Sequence, residues 1–238
     1  MKLAFISDIH GNAIALDAVL DDIKGKNIDK IYVLGDLCYR GPEPKRSLEL
    51  VRSLNTEVIK GNADEWVVRG VQNGEVPEQA FEIMNKERDW TYSKLNSDSI
   101  DYLSQLPTEL NLEYGNFKIH AFHATPLSLF DVVQPSEHDD LLVEKLMKQD
   151  AELYIYGHIH KPYIRNINGK CIVNTGSVGL PFDGLSMASY VVVGVDKDSF
   201  QVSIVRVKYN EHDVIDQFRE SDYPNKNMME NILANARI

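Results

Sequence analysis

Two histidines, His158 and His160, stand one residue apart directly after a short apolar run at positions 154–156. The run is typical of a buried strand, and Gly157 is typical of the point where a strand turns into a loop. At such a turn, two imidazoles with this spacing can each donate a ring nitrogen to one metal cluster. For this segment alone, the alternative is a pair of surface histidines in a loop.

Side chains of the same kind follow four other predicted strands. They are Asp8 and His10 after residues 3–6, Asp36 after residues 30–34, Asn62 after residues 57–60, and His123 after residues 116–122. In open α/β sheets, ligands bind beyond the carboxyl ends of the strands. We therefore expect all seven side chains to converge at one edge of one sheet.

The seven side chains are two carboxylates, one amide and four imidazoles, and all are metal-ligand types. One tetrahedral site takes four ligands, so seven suit two metal ions with one shared carboxylate. Mixed oxygen and imidazole donors favour manganese, iron, zinc or nickel over calcium or magnesium. Two such ions, roughly 3.5–4 Å apart, can clamp a phosphoryl group and activate a water molecule by lowering its pKa.

The elements that must position these residues begin as an alternation of strands and helices. Apolar residues recur at helical spacing over residues 16–23, and a helix with proline in its first turn is predicted over residues 44–54. Strand, helix, strand, helix, strand implies a parallel sheet with right-handed crossovers. Residues 188–195 and 200–207 are predicted to form a hairpin.

The remaining segments are interpreted as additions to a single domain that spans residues 1–238. Residues from about 65 to 107 are polar and helical in composition, which indicates a helical insertion or cap. Residues from about 212 onward are also polar and helical, and we expect peripheral helices there.

Composition limits the partners. Lys and Arg number 25 and Asp and Glu number 36, so the net charge is −11, which argues against broad binding to nucleic acid. No apolar run approaches the roughly 20 residues of a membrane span, and the start of the chain does not fit a signal peptide. Two well-separated cysteines indicate reduced thiols and a cytoplasmic location.

In order along the chain, the motifs Asp8-x-His10, Gly35-Asp36, Gly61-Asn62, His123 and Gly157-His158-x-His160 resemble those of the calcineurin-like metallophosphoesterase superfamily. The finer resemblance is to its compact prokaryotic phosphodiesterase-like branch, through residues 7–12, 41–44 and 174–179. The resemblance implies an α/β fold, a four-layer αββα sandwich of two mixed sheets with flanking helices.

The resemblance also implies roles for the seven side chains. Asp8, His10 and His160 would hold the first metal ion, Asn62, His123 and His158 the second, and Asp36 would bridge the two. Asp36, Asn62 and His123 would serve catalysis, in which a metal-activated hydroxide attacks phosphorus in line without a phosphoryl-enzyme intermediate. Manganese is the first choice of metal, with iron, zinc and nickel as alternatives.

The sequence departs from the family at one catalytic position. Many members have a histidine after the motif asparagine to protonate the leaving oxygen, whereas this chain has Ala63. General acid catalysis is worth about 10²–10⁴ in rate, so substrates with good leaving groups are expected. Asp64 is a candidate substitute acid and substrate-binding residue, and the alternative is a helix N-terminal residue that favours the dipole.

Two further residues are candidate substrate contacts. Arg40 could bind phosphate through two parallel hydrogen bonds, or it could be a surface arginine of the loop. Asn12 could contact the substrate or cap the first helix.

These observations predict a dimetal phosphoesterase, foremost a phosphodiesterase that acts on a small phosphorylated molecule or a nucleotide. The alternatives are a dinucleoside polyphosphate hydrolase or a Ser/Thr protein phosphatase, which residues 40–42 suggest. A non-enzymatic alternative is a catalytically silent scaffold of the same fold, although such scaffolds lose metal ligands and this chain has all seven. No membrane partner is expected, and the sequence is compatible with a homo-oligomer.

Overall fold

The computed structural model describes residues 1–197 and 199–237, and this part of the chain forms nine strands and eight helices. In chain order they are β1 (Lys2–Ile6), α1 (Ala13–Lys24), β2 (Lys30–Val33), α2 (Pro44–Ser53), α3 (Asn62–Arg69), α4 (Glu78–Ser93), α5 (Ser97–Gln105), β3 (Glu109–Tyr114), β4 (Phe117–Phe122), α6 (Asp139–Leu146), β5 (Leu153–Tyr156), β6 (Tyr163–Ile167), β7 (Lys170–Asn174), β8 (Ala188–Val195), β9 (Phe200–Val207), α7 (Glu211–Glu220) and α8 (Lys226–Asn235).

The strands form two sheets, and each sheet mixes parallel and antiparallel pairs. The first sheet has the order β2-β1-β8-β9, in which β1 and β2 are parallel and the other pairs are antiparallel. The second has the order β3-β4-β5-β7-β6, with β4, β5 and β7 parallel and antiparallel strands at both edges.

Alternation of side chains along β1 shows how the layers stack. Leu3 and Phe5 belong to the apolar layer between the two sheets, whereas Ala4 and Ile6 pack with helices on the outer face of the first sheet. On the outer face of the second sheet, Leu142 and Leu146 of α6 join Tyr154 and its neighbours in a third apolar cluster. The order helix, sheet, sheet, helix confirms the predicted four-layer αββα sandwich.

The prediction that the seven side chains meet at the edge of one sheet is wrong. Six of them follow strands of both sheets and Asn62 begins α3, because the hairpin β8–β9 pairs with β1 and completes a sheet separate from that of β4 and β5. The predicted strand at residues 57–60 is reduced to one bridge between Val33 and Val58, since the amide of Lys60 bonds to the carbonyl of Pro107 instead. The edge strands β3 and β6 were not predicted.

The polar C-terminal segment contributes more to the core than its composition indicates. Val214 and Phe218 of α7 and Met229 and Leu233 of α8 are buried in the cluster that covers the first sheet. Across the two described ranges of the chain, no helix is long and apolar enough to cross a membrane.

Candidate metal centre

The backbone turns sharply at most of the candidate ligands. The φ angles of five of them lie between 50° and 67°, in the left-handed region; the five are Asp8, His10, Asp36, His158 and His160. This conformation costs an L-residue roughly 1–2 kcal/mol. The surrounding fold must supply that energy, so these turns are fixed by the structure around them.

Two glycines allow the strand ends to approach the carboxylates. A Cβ atom on Gly61 would lie 2.1 Å from Asp36 Oδ1, and one on Gly157 would lie 2.4 Å from Asp8 Oδ2. Any larger residue at either position would displace a candidate ligand.

The first cluster joins β1 and β2 of one sheet to β5 of the other. The Nε2 atom of His160 lies 3.0 Å from Asp8 Oδ1 and 3.1 Å from His10 Nε2. His10 Nε2 in turn lies 3.5 Å from Asp36 Oδ2. One ligand atom from each of these four residues falls within 4.8 Å of all the others, so one metal ion could contact all four.

The second cluster is built around Asn62. Its Oδ1 atom lies 2.9 Å from His123 Nε2 and 2.8 Å from His158 Nδ1. Asp36 Oδ2 lies 3.4 Å from His123 Nε2. The same carboxylate oxygen therefore faces both clusters, as a bridging ligand must.

Three of the histidines are held by backbone carbonyls that fix their ring orientation. The Nδ1 atoms of His10, His123 and His160 lie 2.8, 2.7 and 2.5 Å from the carbonyl oxygens of Tyr39, Leu34 and Leu180. A carbonyl only accepts hydrogen bonds, so Nδ1 of each ring carries a proton, and Nε2 presents a lone pair to the cluster when the ring is neutral. Nε2 atoms that face carboxylate oxygens and one another call for a proton or a metal ion between them, and the donor set fits divalent metal ions.

The charges of the cluster shift the titration of the metal-free histidines. Burial alone would lower the pKa of His123, but the negative charge of Asp36 and its hydrogen bond outweigh burial and raise the pKa to about 10. At His10 and His158 burial dominates, and with the repulsion of a second imidazole it lowers the pKa of each to about 4. Although burial opposes ionisation, His160 and His123 hold the pKa values of Asp8 and Asp36 below their usual range.

Residues without a role in the sequence analysis hold the carboxylates of Asp8 and Asp36 in place. The hydroxyl of Ser7 donates to Asp8 Oδ2 and lies 2.6 Å from Thr175 Oγ1. The backbone amide of Ala63 donates to Asp36 Oδ1 at 2.8 Å. Ser7 and Thr175 lie within the segments 7–12 and 174–179, so the sequence carried a signal for them.

Asn12 and Asp64 have their side chains engaged by the backbone. Asn12 Oδ1 accepts from the amide of Ala15 at 3.0 Å at the start of α1, and its Nδ2 donates to the carbonyl of Gly179. Both carboxylate oxygens of Asp64 are taken by the amides of Asp36, Leu37 and Gly61, at 2.8 to 2.9 Å. Burial, followed by the charge of Asp36, raises the pKa of Asp64 to about 7. Both side chains thus lie where the helix-start alternatives place them.

Arg40 is mostly buried and ion-paired. Its Nε donates to Glu87 Oε2 at 3.0 Å, and Glu87 of α4 is fully buried. Glu87 also accepts from the Tyr39 hydroxyl at 3.2 Å and from Asn225 at 2.9 Å. The side chain of Arg40 is therefore bound to α4 of the helical insertion through Glu87.

A cavity of about 280 Å³ opens beside His158. Its walls are Val132, Gln134, Ile159, Lys161 and Phe182. The Phe182 ring stacks on the imidazole of His160, with ring centres 4.2 Å apart. The cavity is thus adjacent to both clusters, and its basic residue, Lys161, was not among the predicted site residues.

Comparison with known proteins shows similarity to phosphoesterases in sequence and in fold. A model of the calcineurin-like phosphoesterase superfamily domain matches residues 1–198. An uncharacterized protein of Methanocaldococcus jannaschii is 31% identical over 229 residues, which cover 87% of this chain and 88% of that protein. A solved metallophosphoesterase from Sphaerobacter thermophilus is 27% identical, covers 99% of both chains and superposes with a TM-score of 0.78. A hypothetical protein from Pyrococcus horikoshii OT3, 23% identical over 99% of this chain and 98% of that one, has the same fold, with a TM-score of 0.85.

Proposed function

Because this chain belongs to the calcineurin-like phosphoesterase superfamily, we propose that it is a metal-dependent phosphodiesterase that hydrolyses a small phosphorylated molecule or a nucleotide. The observation that carries the proposal is the position of Asp36 Oδ2, which lies 3.5 Å from His10 Nε2 and 3.4 Å from His123 Nε2. One oxygen shared between two sets of donors supports a centre of two metal ions.

The assignment of ligands follows the two clusters. Asp8, His10 and His160 would hold one ion, Asn62, His123 and His158 the other, and Asp36 would contact both. Bound divalent ions supply Lewis-acid polarisation of phosphoryl oxygens and lower the pKa of water. Manganese is the preferred ion, with iron, zinc and nickel as alternatives, because the donors mix imidazole nitrogen and oxygen.

The protein's own groups orient this chemistry. Backbone carbonyls hold three imidazoles in one tautomer, and Ser7 and the Ala63 amide fix the two carboxylates. The Ala63 methyl group cannot donate a proton, and both oxygens of Asp64 already accept backbone hydrogen bonds. Diesters whose leaving groups need no protonation are therefore the favoured substrates.

The alternatives of the sequence analysis have less support. A protein phosphatase or dinucleoside polyphosphate hydrolase was suggested through Arg40, whose guanidinium is paired with a buried glutamate. A silent scaffold would not require seven donors in two connected clusters. Cys38 and Cys171 are buried free thiols, which is consistent with the cytoplasmic location that we propose.

The test is a set of initial rates on bis-p-nitrophenyl phosphate, p-nitrophenyl phosphate and diadenosine tetraphosphate, after metal removal and after Mn²⁺ is restored. We expect Mn²⁺-dependent hydrolysis with the diester well above the monoester. Asp36→Ala and His123→Ala should each abolish it in a folded protein, whereas Asp101→Asn, at an exposed position, should not change it. Full activity in either alanine variant, or activity without metal, would contradict the proposal.

A further inference from the structure

Lys161 combines three properties that single it out. It directly follows His160, it lines the cavity of about 280 Å³ beside His158, and it is only half-buried. Its Nζ atom has one polar side-chain neighbour, Gln134 Oε1, at 3.4 Å. Among the residues that the structure describes, no carboxylate lies within 4.0 Å of this Nζ atom.

Other cations near the candidate ligands in sequence are neutralised. Lys60 Nζ lies 3.0 Å from Glu65, and Arg40 Nε lies 3.0 Å from Glu87. In a protein of net charge −11, an anionic substrate requires local positive charge. Lys161 is thus the cationic side chain at this cavity that an anion could engage without breaking an existing ion pair.

Besides Lys161, Gln134 and His158, the cavity wall is apolar. Val132, Ile159 and Phe182 line it, and Val132 is 62% exposed although it is apolar. The volume lies just below the range of about 300–1,000 Å³ that is typical of pockets for drug-sized ligands. Such a cavity suits one ring with its substituents, and an aromatic ring can pack against Phe182.

We propose that this cavity binds one of the two ester groups of a phosphodiester. That ester group contains a ring with a negatively charged substituent, and Lys161 binds the charge of the substituent. The inference rests on the proposed phosphodiesterase function, which it deepens by assigning the substrate class. Gln134, whose Oε1 faces the ammonium group, helps to orient it.

The test compares two substrates that differ by one carboxylate, p-nitrophenyl phenyl phosphate and p-nitrophenyl 4-carboxyphenyl phosphate. Total diester hydrolysis by the Mn²⁺-loaded enzyme is followed by chromatography. A hydrogen bond between charged groups predicts that the wild type prefers the carboxylated diester in kcat/KM by about tenfold. Lys161→Gln should reduce this ratio to about one, and Lys161→Arg should keep most of it.

Lys148→Gln is the matched control, because Lys148 is an exposed lysine that does not line the cavity. The ratio of kcat/KM values in this variant should equal that of the wild type. Manganese content and circular dichroism establish that each variant is folded and loaded. Equal kcat/KM values in the wild type, or a preference that survives in Lys161→Gln, would overturn the inference.

A binding experiment separates failure of this inference from failure of the proposed function. Phenylphosphonate and 4-carboxyphenylphosphonate are titrated calorimetrically into the Mn²⁺-loaded protein. If the enzyme hydrolyses neither diester, the phosphodiesterase proposal fails, and the phosphonates alone decide on the anion site. Tighter binding of the carboxylated phosphonate by the wild type but not by Lys161→Gln supports the site, and equal binding refutes it.

Discussion

The Nε2 atoms of His10 and His160 face each other at 3.1 Å, although each ring has its Nδ1 atom against a backbone carbonyl. With Nδ1–H donated in both rings, the two Nε2 atoms point into the same space, where Asp8 Oδ1 also lies 3.0 Å from His160 Nε2. Without a metal ion, only protons can bridge these electron-rich atoms, whereas a divalent cation would be attracted by all three.

Metal removal is therefore expected to lower the melting temperature. Chelation should shift the transition downward, and Mn²⁺ should restore it in a concentration-dependent manner, with about 2.7 kcal/mol of stabilisation at a free concentration 100 times Kd. Differential scanning calorimetry across a Mn²⁺ series measures the shift. His160→Ala should reduce it strongly, and a melting temperature that does not respond to metal would contradict the assignment of the clusters.

Gly61→Ala is predicted to damage the centre because its Cβ atom would lie 2.1 Å from Asp36 Oδ1. We expect a loss of unfolding free energy of about 1–3 kcal/mol together with reduced Mn²⁺ affinity. Gly25→Ala is the matched control, since its nearest new contact, the carbonyl oxygen of Asp22, lies at 3.5 Å and its φ is −78°. Urea unfolding and metal titration of both variants check the prediction, which is contradicted if the two behave alike.

Arg40→Ala leaves the buried carboxylate of Glu87 without its cation. Removing one partner of a buried pair costs about 3–5 kcal/mol, and we expect the lower end because Arg40 is 16% exposed. Arg46→Ala, which breaks the exposed pairs with Asp17 and Glu43, should cost less than about 1 kcal/mol.

Glu87→Gln in the Arg40→Ala background should recover part of that stability, because it removes the unpaired charge. Urea denaturation of the three variants gives the comparison. Unchanged stability with a raised KM in Arg40→Ala would instead favour the alternative that Arg40 binds the phosphate of the substrate.

The stability of the metal-free protein should fall as pH rises above neutrality. His123 has its pKa raised from 6.5 to about 10, so the stability it contributes is complete below pH 6.5 and is lost as pH rises through the folded-state pKa. Above about pH 8, His10 and His158, with pKa values lowered to about 4, are neutral in both states, and Asp64, with its pKa raised to about 7, is ionised in both. The slope should approach about 1.4 kcal/mol per pH unit.

Urea unfolding in the presence of chelator, from about pH 8 to about pH 9.5, measures that slope. His123→Gln shares every other titrating group and should lack the contribution. Equal slopes in the two proteins would show that His123 is not protonated in the metal-free state.

Most of the strand ends next to the candidate donors could be predicted from local pattern, because each signal lies within a few positions of the chain. Asp8 and His10 closely follow an apolar run, and six of the seven donors belong to two short motifs or follow a glycine directly. The partition into two sheets was not predictable in this way, since it depends on β8 pairing antiparallel to β1 across nearly the whole chain.

Long-range partners explain the other differences. Glu87 lies 47 residues from Arg40, so the loop arginine could not be recognised as half of a buried pair. The edge strands β3 and β6 each have one neighbour in the sheet. Residues 109–114 of β3 alternate polar and apolar side chains, which is the pattern of a half-buried strand, so the sequence carried a signal for β3 that the search for apolar runs missed.

Each cluster draws its donors from both sheets, with Asp8, His10 and Asp36 after strands of the first and His123, His158 and His160 after strands of the second. The apolar layer between the sheets is attractive without being directional. Coordination bonds have defined lengths and angles, so an ion in either cluster would act as a cross-link that sets how far one sheet can slide or rotate over the other. The metal ions would thus define the relative orientation of the two halves of the sandwich as well as the chemistry at its edge.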